Sequence, residues 1–403
     1  LWHLAALACS GIALAGMVQV LLGLAVSRRF QRVRRNAALA VRRTDDLPRV
    51  TVLKPLHGVE PMLAQALESV FRQDYPGMQI VFGVQSAADP AIAVVETLRR
   101  DYPGVDATIV VSGRPHGTNR KIANLINMFP SARHDVLVIS DSDMHVAPDY
   151  LRRVVDVLDQ PGVGLVTTIY TGLPAGNTLT RQLGAAYINQ IFSSGALLAR
   201  YLGRQDCLGA TMALTRATLM QVGGFAGLSP FVADDGVLGR RVRALGQQIR
   251  LAPTVPATTV SEAGLLALFR HELRWARTIR AMAPVGFILS ALQYPVFWAG
   301  IATAASGGRL WAVSLLIAAC LVRATSGRGI EMALGAAPTA LVLAPWRDLL
   351  SIAVMAAAFF DDQVAWRGQV LSTAPDRALA QGGFPSGAVA FRAAPAVLAH
   401  GKG

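Results

Sequence analysis

Cysteine is scarce: Cys9, Cys207 and Cys320 are the whole supply, an odd number with no close CxxC spacing. That excludes a disulfide framework and a cysteine zinc site, and points to a reducing compartment. Lysine is equally rare, at Lys54, Lys121 and Lys402, so arginine carries nearly all the positive charge. Charge of either sign is short: 16% of the 403 residues are Asp, Glu, Lys or Arg, against 53% hydrophobic, and the mean hydropathy is +0.41. Such a composition lies outside the range of an ordinary soluble enzyme and places part of the chain in lipid. The 37 Gly and 21 Pro are near average usage, which excludes a collagenous or low-complexity chain and rules out disorder as the main description. Acidic residues are the scarcer sign, 25 against 38 Lys and Arg, a net charge of +13. An excess of that size implies nucleic acid, an anionic membrane surface or a phosphate-bearing substrate.

Residues 1–26 contain no Lys, Arg, Asp or Glu, enough apolar chain for the ~20 residues that cross a bilayer. No basic stretch precedes this run and no small-residue cleavage site follows it, so a membrane anchor (1–27) fits better than a signal peptide. Because the sequence begins on Leu1 and not Met, the expected start lies upstream. Next come Arg28, Arg29, Arg32, Arg34, Arg35, Arg42 and Arg43, in a basic juxtamembrane linker (28–47). Basic residues beside a span favour the cytoplasmic side, so the following domain is expected there. The block lacks aromatic interleaving beyond Phe30, which disfavours nucleic acid. Further apolar stretches at 281–305, 310–322 and 332–360 define a C-terminal transmembrane region (281–362), the last interrupted by Pro345, Trp346, Arg347 and Asp348. A Gly/Ala/Pro-rich tail (363–403) follows.

Between 48 and 262 short β-branched runs alternate with helical stretches, the pattern of a doubly wound, mostly parallel sheet. Strands are expected at 50–53, 79–84, 107–111, 136–140 and 164–168, with helices at 61–73 and 91–101 between them. Ligands in such folds sit beyond the carboxyl ends of strands. There, after 136–140, come Asp141, Ser142 and Asp143, two carboxylates that an extended backbone aims at one point. This suits a hard cation, Mg²⁺ or Mn²⁺, bridged to substrate phosphates, although DxD also occurs in ordinary solvated turns. Asp234 and Asp235 precede a helical stretch, where they serve as helix-terminal charges or supply a general base. Lys54 and Lys121 lie in the α/β core, either as point charges for a diphosphate or as solvated lysines. In 263–280 Arg270, Arg274, Arg277 and Arg280 recur at helical spacing, as in an amphipathic interfacial helix that buries Trp275 and turns its guanidiniums toward headgroups or a phosphate. HELR within it is no HExxH zinc motif, because the second His is missing.

The segments LKPLHG, QDYP, VQSAADPA, GTNRKIANL, SDSD, CLGATMAL, ADD and HELRW, with RDLLSIAVMAAAFF and VAWRG near the end, occur in the order of a known family. The chain resembles the ceramide glucosyltransferase family of GT-A glycosyltransferases over 50–368, and within it the bacterial hopanoid-associated branch. The resemblance implies a GT-A (Rossmann-like, doubly wound) catalytic domain with one N-terminal and several C-terminal transmembrane helices, a UDP-sugar donor and inversion at the anomeric carbon. It implies Asp89 at the uridine, Lys121 and Asn124 near the diphosphate, and Asp141 with Asp143 on the divalent cation. Asp235 is implied as the general base, and Arg274 and Trp275 as the end of a (Q/R)xxRW signature. His271 departs from that signature, standing where the family writes Gln or Arg.

These readings converge on an integral membrane hexosyltransferase of the bacterial inner membrane, its catalytic domain cytoplasmic. It would move N-acetylglucosamine from a UDP-sugar to the hopanoid bacteriohopanetetrol. Glucosylation of ceramide from UDP-glucose is the alternative, since the shared motifs serve the donor more than the acceptor. A non-catalytic membrane scaffold has no reason to carry Asp89, Asp141, Asp235 and Arg274 together.

Overall fold

The computed structural model describes residues 2–39, 47–366, 369–374 and 376. Arg42, Arg43, Gly368 and the tail beyond 376, all of which figured in the sequence reading, lie outside these. The chain opens with a 38-residue helix, α1 (Trp2–Leu39). Then follow β1 (Val50–Pro55), α2 (Leu63–Phe71), β2 (Met78–Val84), α3 (Ala91–Asp101), β3 (Asp106–Val111), α4 (Arg120–Met128), β4 (Val136–Ser140), β5 (Met144–His145), α5 (Tyr150–Leu158), β6 (Val163–Thr167) and β7 (Thr171–Pro174). The second half of the α/β region holds α6 (Leu179–Ala186), a π-helical turn (Tyr187–Phe192), α7 (Ser193–Tyr201), β8 (Thr211–Thr215), α8 (Arg216–Gln221), α9 (Asp234–Ala244), β9 (Gln248–Leu251) and β10 (Ala257–Val260). Last come α10 (Leu265–Met282), α11 (Pro284–Leu289), α12 (Pro295–Ala305), α13 (Leu310–Leu334), α14 (Ala344–Ala357) and the hairpin β11 (Gln363–Trp366)–β12 (Gln369–Ser372).

Seven strands form the main sheet in the order β3-β2-β1-β4-β8-β6-β9. Neighbours are parallel except β8, which runs antiparallel to both β4 and β6. All residues of β1 and β4 are buried, as expected for strands covered on both faces, and this is why they read as near-continuous apolar runs. On one face Val52, Phe82 and Val138 pack with Phe71, Val95 and Val155 from α2, α3 and α5. On the other, Leu53, Val81 and Ile139 pack with Ile122 of α4 and Val237 and Leu238 of α9. A smaller sheet, β5-β10-β7, lies beyond the carboxyl ends.

The apolar helices depart from the sequence reading in two ways. First, the basic block through Arg35 is no linker but the continuation of α1, which docks on the rest of the protein. Arg34 donates to the Leu334 carbonyl at the end of α13 (2.9 Å), a favourable place for a cation, and Phe30 packs with Ile169, Leu197 and Ile330. Second, the several C-terminal spans are not clearly seen. Among the described residues two helices, Trp2–Ala37 and Leu310–Leu334, are long and apolar enough to cross a bilayer, and Pro284–Gln293 with Pro295–Ala305 makes a third only as a pair bent by 68°. With 14 residues, α14 reaches only about 21 Å against a ~30 Å hydrocarbon core. The apolar run that seems to stop at Arg323 continues to Leu334 because that side chain is neutralised inside the bundle. It donates to Asp348 (3.1 Å) and to Gln190 (3.0 Å).

Small residues let these helices approach closely. A Cβ added at Gly16 of α1 would lie 2.3 Å from the Leu292 carbonyl oxygen and 3.3 Å from Pro295 Cβ. Gly16→Ala is therefore expected to destabilise the protein by about 1–3 kcal/mol despite the better helix propensity of alanine. A thermal melt in detergent should show a lower Tm; an unchanged or raised Tm would contradict the contact.

Candidate functional site

The carboxyl ends of β1, β4 and β6 and the start of β8 meet at one edge of the sheet, and four acidic side chains gather there. Asp141 follows β4 directly, and its amide is bonded to the Ala210 carbonyl at the start of β8 (3.4 Å). Beneath it Lys54, wholly buried, donates to the Asp141 carbonyl at 2.7 Å. Burial pushes this lysine down to about 8, against the pull of Asp143 and Asp141. Asp143 accepts from the Thr258 hydroxyl, and its carbonyl takes the Thr259 amide at 3.2 Å. Burial, reinforced by Asp141, raises its pKa.

Lys121, on the first turn of α4, reaches across to this edge. Its Nζ lies 2.7 Å from Asp141 Oδ1, 4.0 Å from Asp234 Oδ2 and 3.4 Å from the Gly209 carbonyl. Burial opposes its charge, but Asp141, Asp234 and Asp235 outweigh that and raise its pKa. Asn119, the N-cap of α4, donates to Asp234 Oδ1 (3.2 Å) and to the Phe231 carbonyl (2.9 Å) while its own oxygen caps Ile122. Asp234 and Asp235 are the first two residues of α9, where the helix N-terminus favours negative charge. Asp235 accepts from the Gly236 amide at 2.7 Å. Burial, with Asp234 alongside, pushes it up to about 6.

Two cavities meet at this point. One, of about 450 Å³, has a mainly polar lining that includes Asp141, Asp143, Glu262 and His271. The other, of about 540 Å³, has a mainly apolar lining and extends between Ile191, Phe192, Phe287, Val354 and Met355, toward the apolar helices. Tyr170, Gly209, Asp235, Glu272, Arg274 and Trp275 border both. A Cβ at Gly209 would come 2.9 Å from Asp235 Oδ2, so a side chain there would displace that carboxyl.

Thus Asp141, Asp143, Lys121, Asp235, Arg274 and Trp275, singled out from sequence, come together. Asp89 and Asn124 border neither cavity. Asp89 accepts from the Gly58 (3.0 Å) and Ala91 (2.9 Å) amides and so shapes the turn after β1, while Asn124 donates to the Gly83 carbonyl at 2.7 Å inside the domain. Trp275 is half-buried against protein, stacked on Tyr187 with centroids 6.3 Å apart. Arg277 and Arg280 do not point at headgroups but pair with Asp361 (3.4 Å) and Asp362. His271, the departure from the signature, pairs with Glu262, whose carboxyl it holds below the usual range although burial works the other way. Sequence reasoning missed Asp376. Wholly buried, it accepts the Ala233 amide at 2.8 Å, ahead of the two aspartates, and nothing in the local sequence of the tail marks it.

Among the described residues no cluster of three or more His, Cys, Asp or Glu side chains could hold a metal ion. A cation at this edge would therefore draw on at most two such carboxylates from the described residues, and Asp141 and Asp143, which line the polar cavity, are the pair expected from sequence. That fits a hard divalent cation completing its shell with phosphate oxygens and water, not an all-protein cage.

The model of Glycosyl transferase family 21 matches residues 9–379. The chain belongs to glycosyl transferase family 21. Among relatives of this family-21 chain, Ceramide glucosyltransferase 1 of Caenorhabditis elegans is 27% identical over 253 residues, 61% of this chain and 53% of that protein. Ceramide glucosyltransferase of Komagataella phaffii is 40% identical over 116 residues, 28% of this chain and 23% of that protein. The chain thus spans about half the length, or less, of the curated relatives it matches. A mannosyltransferase structure from Pyrobaculum calidifontis, in complex with GDP-Man and Mn²⁺, aligns with a TM-score of 0.55 at 20% identity, over 90% of this chain and 99% of that one. This likeness establishes the fold, the GT-A class expected from sequence.

Asp376→Ala leaves the buried Ala233 amide without an acceptor, at about 1–3 kcal/mol. Hydrogen exchange at Ala233 is expected to speed up about ten-fold or more while exchange in β1 and β4 stays unchanged. Equal protection at Ala233 in both proteins would refute the cap.

Proposed function

We propose that this family-21 chain is a membrane-bound, inverting hexosyltransferase that moves N-acetylglucosamine from a UDP-sugar to a lipid alcohol, the hopanoid bacteriohopanetetrol. One observation carries this reading: Asp235 stands on the wall common to a polar cavity that holds Asp141 and Asp143 and an apolar one that opens toward the bilayer helices. A water-soluble donor and a lipid-dissolved acceptor need such a meeting point. The arginines of α1 support a cytoplasmic side for the α/β domain, and the likeness to the hopanoid-associated branch implies the bacterial inner membrane.

In this mechanism Asp235 takes the proton of the acceptor hydroxyl as its oxygen attacks the anomeric carbon. The bond from that carbon to the β-phosphate oxygen breaks on the opposite face, and UDP leaves with the electron pair. A pKa near 6 suits the task, leaving Asp235 ionised at neutral pH yet basic enough to accept a proton. When bound, Mg²⁺ or Mn²⁺ would be held by Asp141 and Asp143 with the donor phosphates and would neutralise the departing diphosphate. Lys121 and Arg274 add fixed positive charge beside it, while Asp89 and Asn124 act at one remove, shaping the backbone of the nucleotide side. Single displacement needs no covalent intermediate.

The branch-like segments GRQDCLGATMAL and LVTTIYTGLPA favour the hopanoid and N-acetylglucosamine. The relatives named ceramide glucosyltransferases favour a second reading, glucose transferred to ceramide. Membranes containing this protein, supplied with both UDP-sugars, bacteriohopanetetrol and ceramide, are expected to yield an N-acetylhexosamine-bearing hopanoid by mass spectrometry. A hexosyl ceramide establishes the second reading, and neither product rejects both.

Asp235→Asn is expected to lower kcat by a factor of about 10² or more while UDP-sugar binding persists; normal turnover would sink the base assignment. Because only ionised Asp235 accepts the proton, kcat/KM should rise with pH up to about 6 and then level off. A profile flat from pH 5 to 8 contradicts this. Asp141→Ala should abolish the metal dependence of donor binding.

A further inference from the structure

Glu272, on α10, and Arg347, on α14, form a buried two-pronged ion pair. Both carboxylate oxygens accept guanidinium N–H groups, at 2.8 and 2.7 Å, and the residues are 3% and 0% accessible. Arg347 is held from three further sides. Its Nε donates to Ser351 Oγ (3.1 Å), a terminal nitrogen donates to the Leu183 carbonyl (3.2 Å), and the guanidinium lies 5.3 Å from the centre of the Tyr187 ring. Tyr187 in turn stacks on Trp275 at an interplanar angle of 25°. Glu272 and Trp275 are three residues apart on one helix and so share a face. Arg347 therefore grips that face twice, through the carboxylate and through the Tyr187 ring.

Burying two charges does little for stability, since a well-packed apolar pair serves as well. A fork-to-fork pair supplies what apolar packing does not: a fixed separation and a fixed orientation. The location gives that geometry a use. Glu272, Arg274 and Trp275 border the wall shared with Asp235, while Ser351, Val354 and Met355, one and two turns along from Arg347, line the apolar cavity. We propose that Glu272 and Arg347 are positioning residues, which fix the rotation of α10 so that Trp275 and Arg274 face Asp235, and which tie the acceptor side of the site to its donor side. The proposal rests on the two-cavity reading above. Neither residue touches the reacting atoms; each acts through Trp275 and Arg274.

The test uses the full chain in detergent or nanodiscs carrying Glu272→Gln, Arg347→Lys, or both. The first keeps shape and removes charge; the second keeps charge and removes the fork. In folded protein each single variant is expected to lower kcat at least about ten-fold with the donor KM changed less than about two-fold, as a small misorientation does. The double variant should be no worse than the poorer single, because the two act as a unit. Trp275 emission, taken as the difference between each chain and its Trp275→Phe counterpart, should shift to the red in both single variants. Unchanged kcat, multiplying losses in the double variant, or unshifted Trp275 emission would each overturn the proposal. Absence of transfer by the wild-type chain refutes the proposed function instead, and the emission measurement then decides the positioning role alone.

Discussion

The Lys121 ammonium is the interaction on which the acidic edge of the sheet depends. Carboxylates from the end of β4 and the start of α9 converge there in a buried setting, where like charges repel strongly. One cation, 2.7 Å from Asp141 and 4.0 Å from Asp234, joins three elements distant in sequence. Asn119 and Asp376 hold the adjacent turn from either side. Asp235 stands half-buried at the cavity wall beside this compensated cluster, and burial with Asp234 alongside raises its pKa without making it a permanently neutral group.

The apolar helices obey the same rule. Each charge buried among them has a partner, and the partners come from the α/β domain as well as the bundle. Gln190, in the π-helical turn, accepts from Arg323 and donates to Glu331 and Thr339, and Arg347 grips Glu272 and the Leu183 carbonyl. These contacts make the helices a wall of the site and not merely an anchor. The proposed transfer, with one substrate from water and the other from lipid, needs such a wall, because the reacting hydroxyl must be fixed against the donor.

Much of this was legible in sequence, for identifiable reasons. β1, β2, β4 and β6 stand out because strands buried on both faces must be apolar and β-branched, the half-buried edge strand β3 stands out through its β-branched run, and Asp141 is conspicuous because it follows β4. β8 went unseen as a strand, since only the two end residues of its TMALT run are β-branched and its antiparallel direction leaves no local trace. Arg323 read as the end of an apolar run because its neutralising partner, Asp348, lies on another helix. Asp376, Glu272 and Arg347 were unreadable as functional groups for the same reason: what each does depends on a contact with a distant segment. Asn124 drew attention through its motif, yet it is Asn119 that reaches the acidic cluster, because Asn119 caps the start of α4 beside Asp234 while Asn124, one turn in, faces the Gly83 carbonyl.

The central claim is that one carboxylate serves both cavities, and a structure of the complex with UDP-sugar, Mn²⁺ and lipid acceptor tests it most directly. The account predicts the acceptor hydroxyl within about 2.6–3.2 Å of an Asp235 carboxyl oxygen, with the anomeric carbon beyond it and the lipid body between α10 and α14. A productive complex with the hydroxyl against a different carboxylate, or with the lipid outside the cavity lined by Phe287 and Met355, would contradict it.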